Sequence, residues 1–151
     1  MRTSDEGMDE SREEHRWQLL RWAPRHDSGV LYYAGHEGEV WVDGIQQFVP
    51  FLVSTGDFAP ADMQYRMHRQ HLWNPSTGLY GEAYNVDNGT WVREPPTASG
   101  NAKAAVGIAE ALRIGGNGIP TEMRARWQRE TRALIAAMRV AGFDADDRWL
   151  D

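Results

Sequence analysis

Glu39-Val-Trp-Val-Asp-Gly-Ile-Gln-Gln-Phe-Val-Pro-Phe-Leu-Val53, running on to Gly56, is the stretch around which the chain is organised. Ile45, Phe48, Val49 and Leu52 recur at the spacing of one helical face, so the segment predicts a helix with a buried apolar side. Asp43 stands at or just before the first turn. A carboxylate there can accept unpaired backbone N–H groups and meets the positive end of the helix dipole, which is the ordinary structural reason for an Asp in this place. Its neighbours suggest more. Trp41 precedes it, Gly44 follows it, and Gln46 and Gln47 lie one turn on. A polar and aromatic cluster of this kind suits a sugar ring, which offers hydroxyls at its rim and C–H faces to an aromatic platform.

Composition limits the alternatives. A length of 151 residues with 41% hydrophobic side chains and seven Trp predicts one domain with a substantial core. The formal net charge of −6 argues against a nucleic-acid partner, because phosphate binding needs a concentrated basic stripe. With no cysteine there is neither a disulfide framework nor a thiolate metal site. No apolar run approaches the ~18 residues of a membrane span, and the acidic N-terminus is unlike a signal peptide, so a cytoplasmic protein is the expectation. Lys103 is the chain's one lysine, the other basic residues being Arg.

Residues 1–10 are polar and expected to fray. Ser11-Arg-Glu-Glu14 has the pattern of a capping box, and Trp17, Leu20 and Ala23 give a short apolar face that Pro24 stops. Arg25 to Gly38 reads as a loop, carrying His26, Tyr32, Tyr33 and His36, and loops of this mixture often line sites. Pro50 falls inside the central helix and Gly56 ends it. A second helix opens at Ala59-Pro60 and runs to about Leu72. His68 and His71 share one side of it, but no third ligand accompanies them and no metal or other cofactor is expected.

Trp73-Asn-Pro-Ser-Thr-Gly78 is turn chemistry, and Asn88-Gly89 between two β-prone runs predicts a small hairpin. Asn101 is a reasonable cap for a helix from Ala102 to Arg113, whose Ala102, Ala105, Gly107, Ala109 and Ala111 allow close helix packing. Gly115-Gly-Asn-Gly118 is a linker, since no strand precedes it. A last helix starts at Thr121 and stops at Gly142, with Met123, Trp127, Leu134, Ile135 and Met138 expected inward. The organisation is therefore a helical-hairpin domain over residues 11–143, followed by an acidic tail over 144–151 containing Asp144, Asp146 and Asp147.

Val40-Trp-Val-Asp-Gly-Ile45, with Pro50-Phe-Leu52 seven residues past Asp43, resembles the W-x-D-G-L…P-F-L segment of the unsaturated glucuronyl and rhamnogalacturonyl hydrolases, glycoside hydrolase families 88 and 105. The resemblance continues through His71 to Asn101. It implies an all-α chain, a segment of an (α/α)6 toroid of antiparallel helical hairpins, with one small β-hairpin. It places the general acid and base on Asp43. It also implies an oligosaccharide ligand contacted by Trp41, His36, Tyr33, Gln46, Gln47, Glu82, Tyr84, Trp91 and Asn101. The Gly81-Glu-Ala-Tyr-Asn85 stretch departs from the family, with Glu82 where the family has histidine and Asn85 where it has aspartate. Gly100-Asn101 is kept from the family's W-x-R-G-N-G-W junction, but the tryptophans and the arginine are absent, leaving Lys103 or Arg93 as the substitute cation.

A closed ring of twelve helices needs ~180–215 residues before any functional loops, so the expectation is a partial or shortened toroid that pairs with a second copy or with a missing segment. Two functions follow as expectations. One is Asp-mediated hydration of the 4,5 double bond of an unsaturated uronyl sugar. The other is a non-catalytic carbohydrate-binding or assembly protein that retains the scaffold.

Overall fold

The computed structural model describes residues 4–142, with side chains described from Asp9. Within them, five α-helices and five short strands follow in this order: α1 (Ser4–Trp17), β1 (Glu39–Trp41), α2 (Asp43–Ser54), α3 (Phe58–Leu72), β2 (Trp73–Asn74), β3 (Leu79–Tyr80), β4 (Ala83–Asn85), β5 (Thr90–Arg93), α4 (Ala98–Gly115) and α5 (Thr121–Ala141). The expected acidic tail lies outside the described residues.

The helices form two layers. α2 and α4 are the inner pair and run parallel. A Cβ on Gly100 would meet Val42, one on Gly107 the backbone of Gln46, and one on Gly115 the side chain of Val53, so the contacts advance along both helices in the same direction. Without Cβ atoms at these positions the two backbones approach closely, a use of glycine that justifies its cost to helix propensity. The second layer, α3 and α5, packs behind them. Tyr65 meets Trp127 edge-on at 5.8 Å between ring centroids, and Asp62 accepts from Trp127 Nε1 at 3.0 Å and from Arg126. Ile45, Val49, Leu52, Tyr65, Ile108, Trp127 and Leu134 fill the space between the layers.

Each inner helix returns through an outer one. α2 and α3 are joined by the tight turn at residues 55–57, in which Gly56 has φ 79°. Beyond it, Phe48 and His68 meet at 5.8 Å, as antiparallel neighbours must. This is the helical-hairpin repeat expected of a toroid segment.

Several boundaries differ from expectation. α1 is already helical from Ser4, so Ser11 lies inside it, its carbonyl bonded by the His15 imidazole, and does not cap it. After Trp17 the chain widens into a π-turn, Gln18–Trp22, before Pro24. Glu39–Trp41 is a strand and not the lead-in of the helix, because its backbone pairs antiparallel with Asn85, Tyr84 and Ala83 of β4. The single hairpin is in fact the β4–β5 edge of a three-stranded sheet, and β2 pairs separately with β3. Ala102 and Ala109 face outward, while the expected Ala105, Gly107 and Ala111 pack inward together with Gly100, Ala104 and Ile108. Ile135 is 39% exposed, the inward place one turn earlier going to Thr131. Among the described residues no helix is long and apolar enough to cross a membrane.

Candidate functional site

Parallel inner helices put their N-termini at one end of the molecule, and the candidate site is built there. Asp43 is the first residue of α2, with Val42 in the capping position. Its carboxylate does not serve as the expected backbone cap. It reaches across to α4, where Lys103 Nζ lies 2.5 Å from Asp43 Oδ1. The carboxylate is largely buried and the Lys103 side chain 45% exposed, so the acid is fixed in the scaffold and the base comes in from the solvent side. The hydrogen bond to Asp43, together with the fields of Asp43, Glu82 and Tyr33, holds the Lys103 ammonium above its ordinary pKa.

Three rings cluster on the strand and loop that lead into α2. Trp41 lies 5.5 Å from Tyr33 and 5.3 Å from His36, and Tyr33 and His36 are 5.7 Å apart. The strand brings Trp41, and a tight loop brings the other two: Tyr33 N donates to Glu39 O, His36 N to Tyr33 O and Glu39 N to His36 O. That loop is anchored in turn to α3 by Gln64, whose Oε1 accepts from Leu31 N at 3.0 Å and whose Nε2 donates to Gly29 O at 2.8 Å. Glu39, which the sequence reading passed over, orients two of the rings. Its Oε2 accepts from Trp41 Nε1 at 2.8 Å and lies 3.2 Å from His36 Nδ1. Gln47 Nε2 donates to the Tyr33 hydroxyl at 3.4 Å, tying the ring cluster to α2, and Gln46 just before it is exposed. The Arg93 guanidinium sits 5.8 Å from the Trp41 ring and supplies a second cation.

Four of the expected ligand contacts, Asn101, Tyr84, Trp91 and Glu82, have partners within the protein. Asn101 is fully buried in the first turns of α4, whose cap is Thr97, through a bond from Gly100 N. Its amide clamps the chain at Tyr80, with Oδ1 accepting from Tyr80 N at 2.8 Å and Nδ2 donating to Tyr80 O at 3.0 Å. Asn101 is therefore a strut and not a helix cap. Tyr84 and Trp91 are cross-strand partners, and alternation along the sheet turns them to the face opposite Trp41. There Tyr84 stacks on His71 at 5.6 Å and meets Trp91 at 5.2 Å. Glu82 is at the right end of the molecule, but its carboxylate accepts from Thr97 Oγ1 at 2.5 Å and so secures the start of α4.

His68 and His71 do not act together. His68 is buried with Nδ1 bonded to the Gln64 carbonyl at 2.8 Å, which leaves Nε2 without a partner against Gly44. A Cβ at Gly44 would come within 2.3 Å of that nitrogen, which explains the glycine beside Asp43. One apolar hollow adjoins the site at Gln47 and is bordered by Leu19, Trp22, Phe48 and Phe51, and another is bordered by Leu79, Ala137 and Val140.

No protein-family model matches this chain, and no curated protein matches it. Solved structures do. A possible member of glycoside hydrolase family 105 from Klebsiella pneumoniae superposes with a TM-score of 0.82 at 20% identity, covering 95% of this chain and 40% of its own. A family 105 glycoside hydrolase from C. acetobutylicum gives 0.77 at 15% identity, covering 96% and 44%. A family 8 xylanase from Teredinibacter turnerae gives 0.68 at 17% identity, covering 96% and 41%. This chain thus spans about two fifths of the structures it matches, and its fold is that of a segment of a toroidal glycoside hydrolase.

Proposed function

We propose that this chain forms the catalytic end of a toroidal glycoside hydrolase acting on unsaturated uronyl oligosaccharides, with Asp43 as general acid and base. The observation that carries the reading is the position of Asp43. It is a largely buried carboxylate where two parallel inner helices begin, two residues after Trp41, whose ring clusters with Tyr33 and His36. The superposed structures, glycoside hydrolases of families 105 and 8, favour the same class of chemistry.

In this reading protonated Asp43 gives its proton to C4 of the 4,5-unsaturated ring as the vinyl ether develops positive charge at C5. Asp43, now anionic, takes a proton from the water that adds its oxygen at C5. The resulting hemiketal opens and releases the neighbouring sugar. Trp41 and Tyr33 supply a platform for the ring's C–H face, while Gln46 and Gln47 face its hydroxyls. The short Lys103 contact favours a second reading in one respect, since a carboxylate occupied by a lysine also suits a protein that binds acidic sugars without turning them over.

The experiment is loss of the unsaturated uronate absorbance with purified protein, comparing wild type with Asp43→Asn. Asn fits the same position, so melting should move little, while turnover should fall on the order of 10²–10⁴-fold. Equal turnover by the two proteins would remove Asp43 from the chemistry. Wild-type binding without turnover on several lyase-generated oligosaccharides would favour the binding reading.

A further inference from the structure

The first and last described helices carry opposite charge on exposed sides. α1 holds six acids, Asp5, Glu6, Asp9, Glu10, Glu13 and Glu14, against Arg12 and Arg16. Every residue from Asp9 to His15 is exposed, and Arg16 ties the last turn to the turn between α2 and α3, its Nε and Nη2 donating to the Asp57 carboxylate at 2.6 and 2.8 Å. By helical periodicity Asp9, Glu10, Glu13, Glu14 and Trp17 share one side of α1, and Arg12 and Arg16 lie on the other. Trp17 is 50% exposed, with the Arg21 guanidinium 4.8 Å from its ring. A 14-residue helix exposed all round is marginal in water on its own. α5 is the reverse, with five Arg against Glu122 and Glu130. Arg126 pairs with Asp62 and Arg124 bonds the Gly116 carbonyl. Arg129, Arg132 and Arg139 are exposed and, among the described residues, have no ion-pair partner. They share one side of α5, and Ile135, 39% exposed, lies between Arg132 and Arg139.

We propose that α5 of one copy docks on the acidic side of α1 of a second copy, head to tail, with Arg129, Arg132 and Arg139 against Asp9, Glu13 and Glu14 and with Ile135 against Trp17. Both sides are exposed within one chain, so they do not meet each other there. A different partner for α5 would leave α1 bare, whereas a second copy covers both. Exposed ion pairs contribute little apiece, so the apolar contact holds the copies together while charge sets the partner and the direction. The hollow bordered by His15, Gln18 and Trp22 continues from the end of α1 and extends the apolar part of the contact. Such a contact closes when each copy gives its α5 to the other's α1, or continues into a larger ring. Either way the α4–α5 hairpin of one copy stands beside the α1–α2 flank of the next, the order in which a toroid places its hairpins.

The test is charge reversal followed by mixing, on the full chain. Sedimentation equilibrium at low ionic strength should show the wild type self-associating, and added salt should weaken it. The double variant Glu13→Arg, Glu14→Arg sets Arg against Arg, and the double variant Arg129→Glu, Arg132→Glu sets acid against acid. Each should weaken self-association by about tenfold or more while melting like the wild type, because the substituted positions are exposed. Mixed in equal amounts, the two variants should associate about as tightly as the wild type, and a chain carrying both pairs of reversals should regain self-association. A monomeric wild type, undiminished association by either variant, or a mixture that binds no more tightly than its components would overturn the proposal. A monomeric wild type that binds anionic lipid vesicles through Arg129 and Arg132 would give α5 a membrane surface as its partner instead.

Discussion

A Cβ placed on Gly107 would stand 2.6 Å from the Cα of Gln46. The neighbour is backbone and cannot swing aside, so α2 and α4 touch at this point with nothing between them. Gly107→Ala should therefore destabilise the fold, even though alanine favours a helix by up to about 1 kcal/mol over glycine. The overpacking cost of about 1–3 kcal/mol outweighs that gain. Denaturant unfolding should show a net loss of about 1–2 kcal/mol, with Val106→Ala, at a 55% exposed position, as the neutral comparison. The same displacement separates Asp43 from Lys103, so sugar binding should weaken in Gly107→Ala.

A second prediction concerns Asn101. Its side chain satisfies both backbone groups of Tyr80 and also donates to Thr97 O at 3.0 Å. Asn101→Leu keeps roughly the volume and leaves two buried backbone groups unpaired, each at a cost of about 1–3 kcal/mol. Urea titration should show a loss of about 2–4 kcal/mol. A loss below about 0.5 kcal/mol would mean that water replaces the amide and that the strut is dispensable.

What the sequence made legible was local. The starts and stops of α2, α3 and α5 follow Asp43-Gly44, Gly56, Pro60 and Gly142, signals read within a few residues of the event they cause. The β4–β5 turn was visible in Asn88-Gly89 for the same reason. The errors arise where partners are far apart. Asn101 looks like a cap until Tyr80, from another element, takes both ends of its amide. Glu39–Trp41 looks like the approach to a helix until β4 pairs with it. Tyr84 and Trp91 sit on the sheet face opposite Trp41 through pleat alternation, with an irregularity between Ala83 and Tyr84, which a single strand's sequence does not show. The Asp43–Lys103 pair crosses 60 residues, a distance no spacing rule spans.

A third prediction concerns assembly. Trp22 is 81% exposed and Val140 is 89% exposed, and each borders one of the two apolar hollows. Monomeric proteins seldom leave apolar patches larger than a few hundred Å² uncovered. The chain should therefore self-associate in solution, and light scattering should give a mass at least twice that of the chain at micromolar concentration. Trp22→Arg should lower that mass if the hollow beside Leu19 and Phe51 is part of the contact. A compact monomer that melts cooperatively would show that these faces tolerate water.

The last prediction follows from His68. The imidazole is 1% exposed, and burial lowers its pKa from the ordinary 6.5 to about 4, with the Gln64 carbonyl opposing the shift only in part. Above pH 6.5 the ring is neutral in both folded and unfolded chains and costs nothing. Between pH 6.5 and 4 the unfolded chain takes the proton and the folded chain refuses it, so stability falls with pH across that window and levels off below it. The difference corresponds to about 3 kcal/mol. His71 is also lowered, by burial and by His26, and contributes in the same direction. Asp57, whose carboxyl is held low chiefly by its bond from Arg16, loses its contribution only below its ordinary 3.8. Urea midpoints measured at pH 7 and pH 4.5 should therefore differ strongly for wild type and much less for His68→Met, which fills the site without a titrating group. Parallel pH profiles for the two proteins would mean that His68 is hydrated in the folded state. The protonated ring would also press a charge against Gly44, so acid should disturb the start of α2, and with it Asp43, before the rest of the helix.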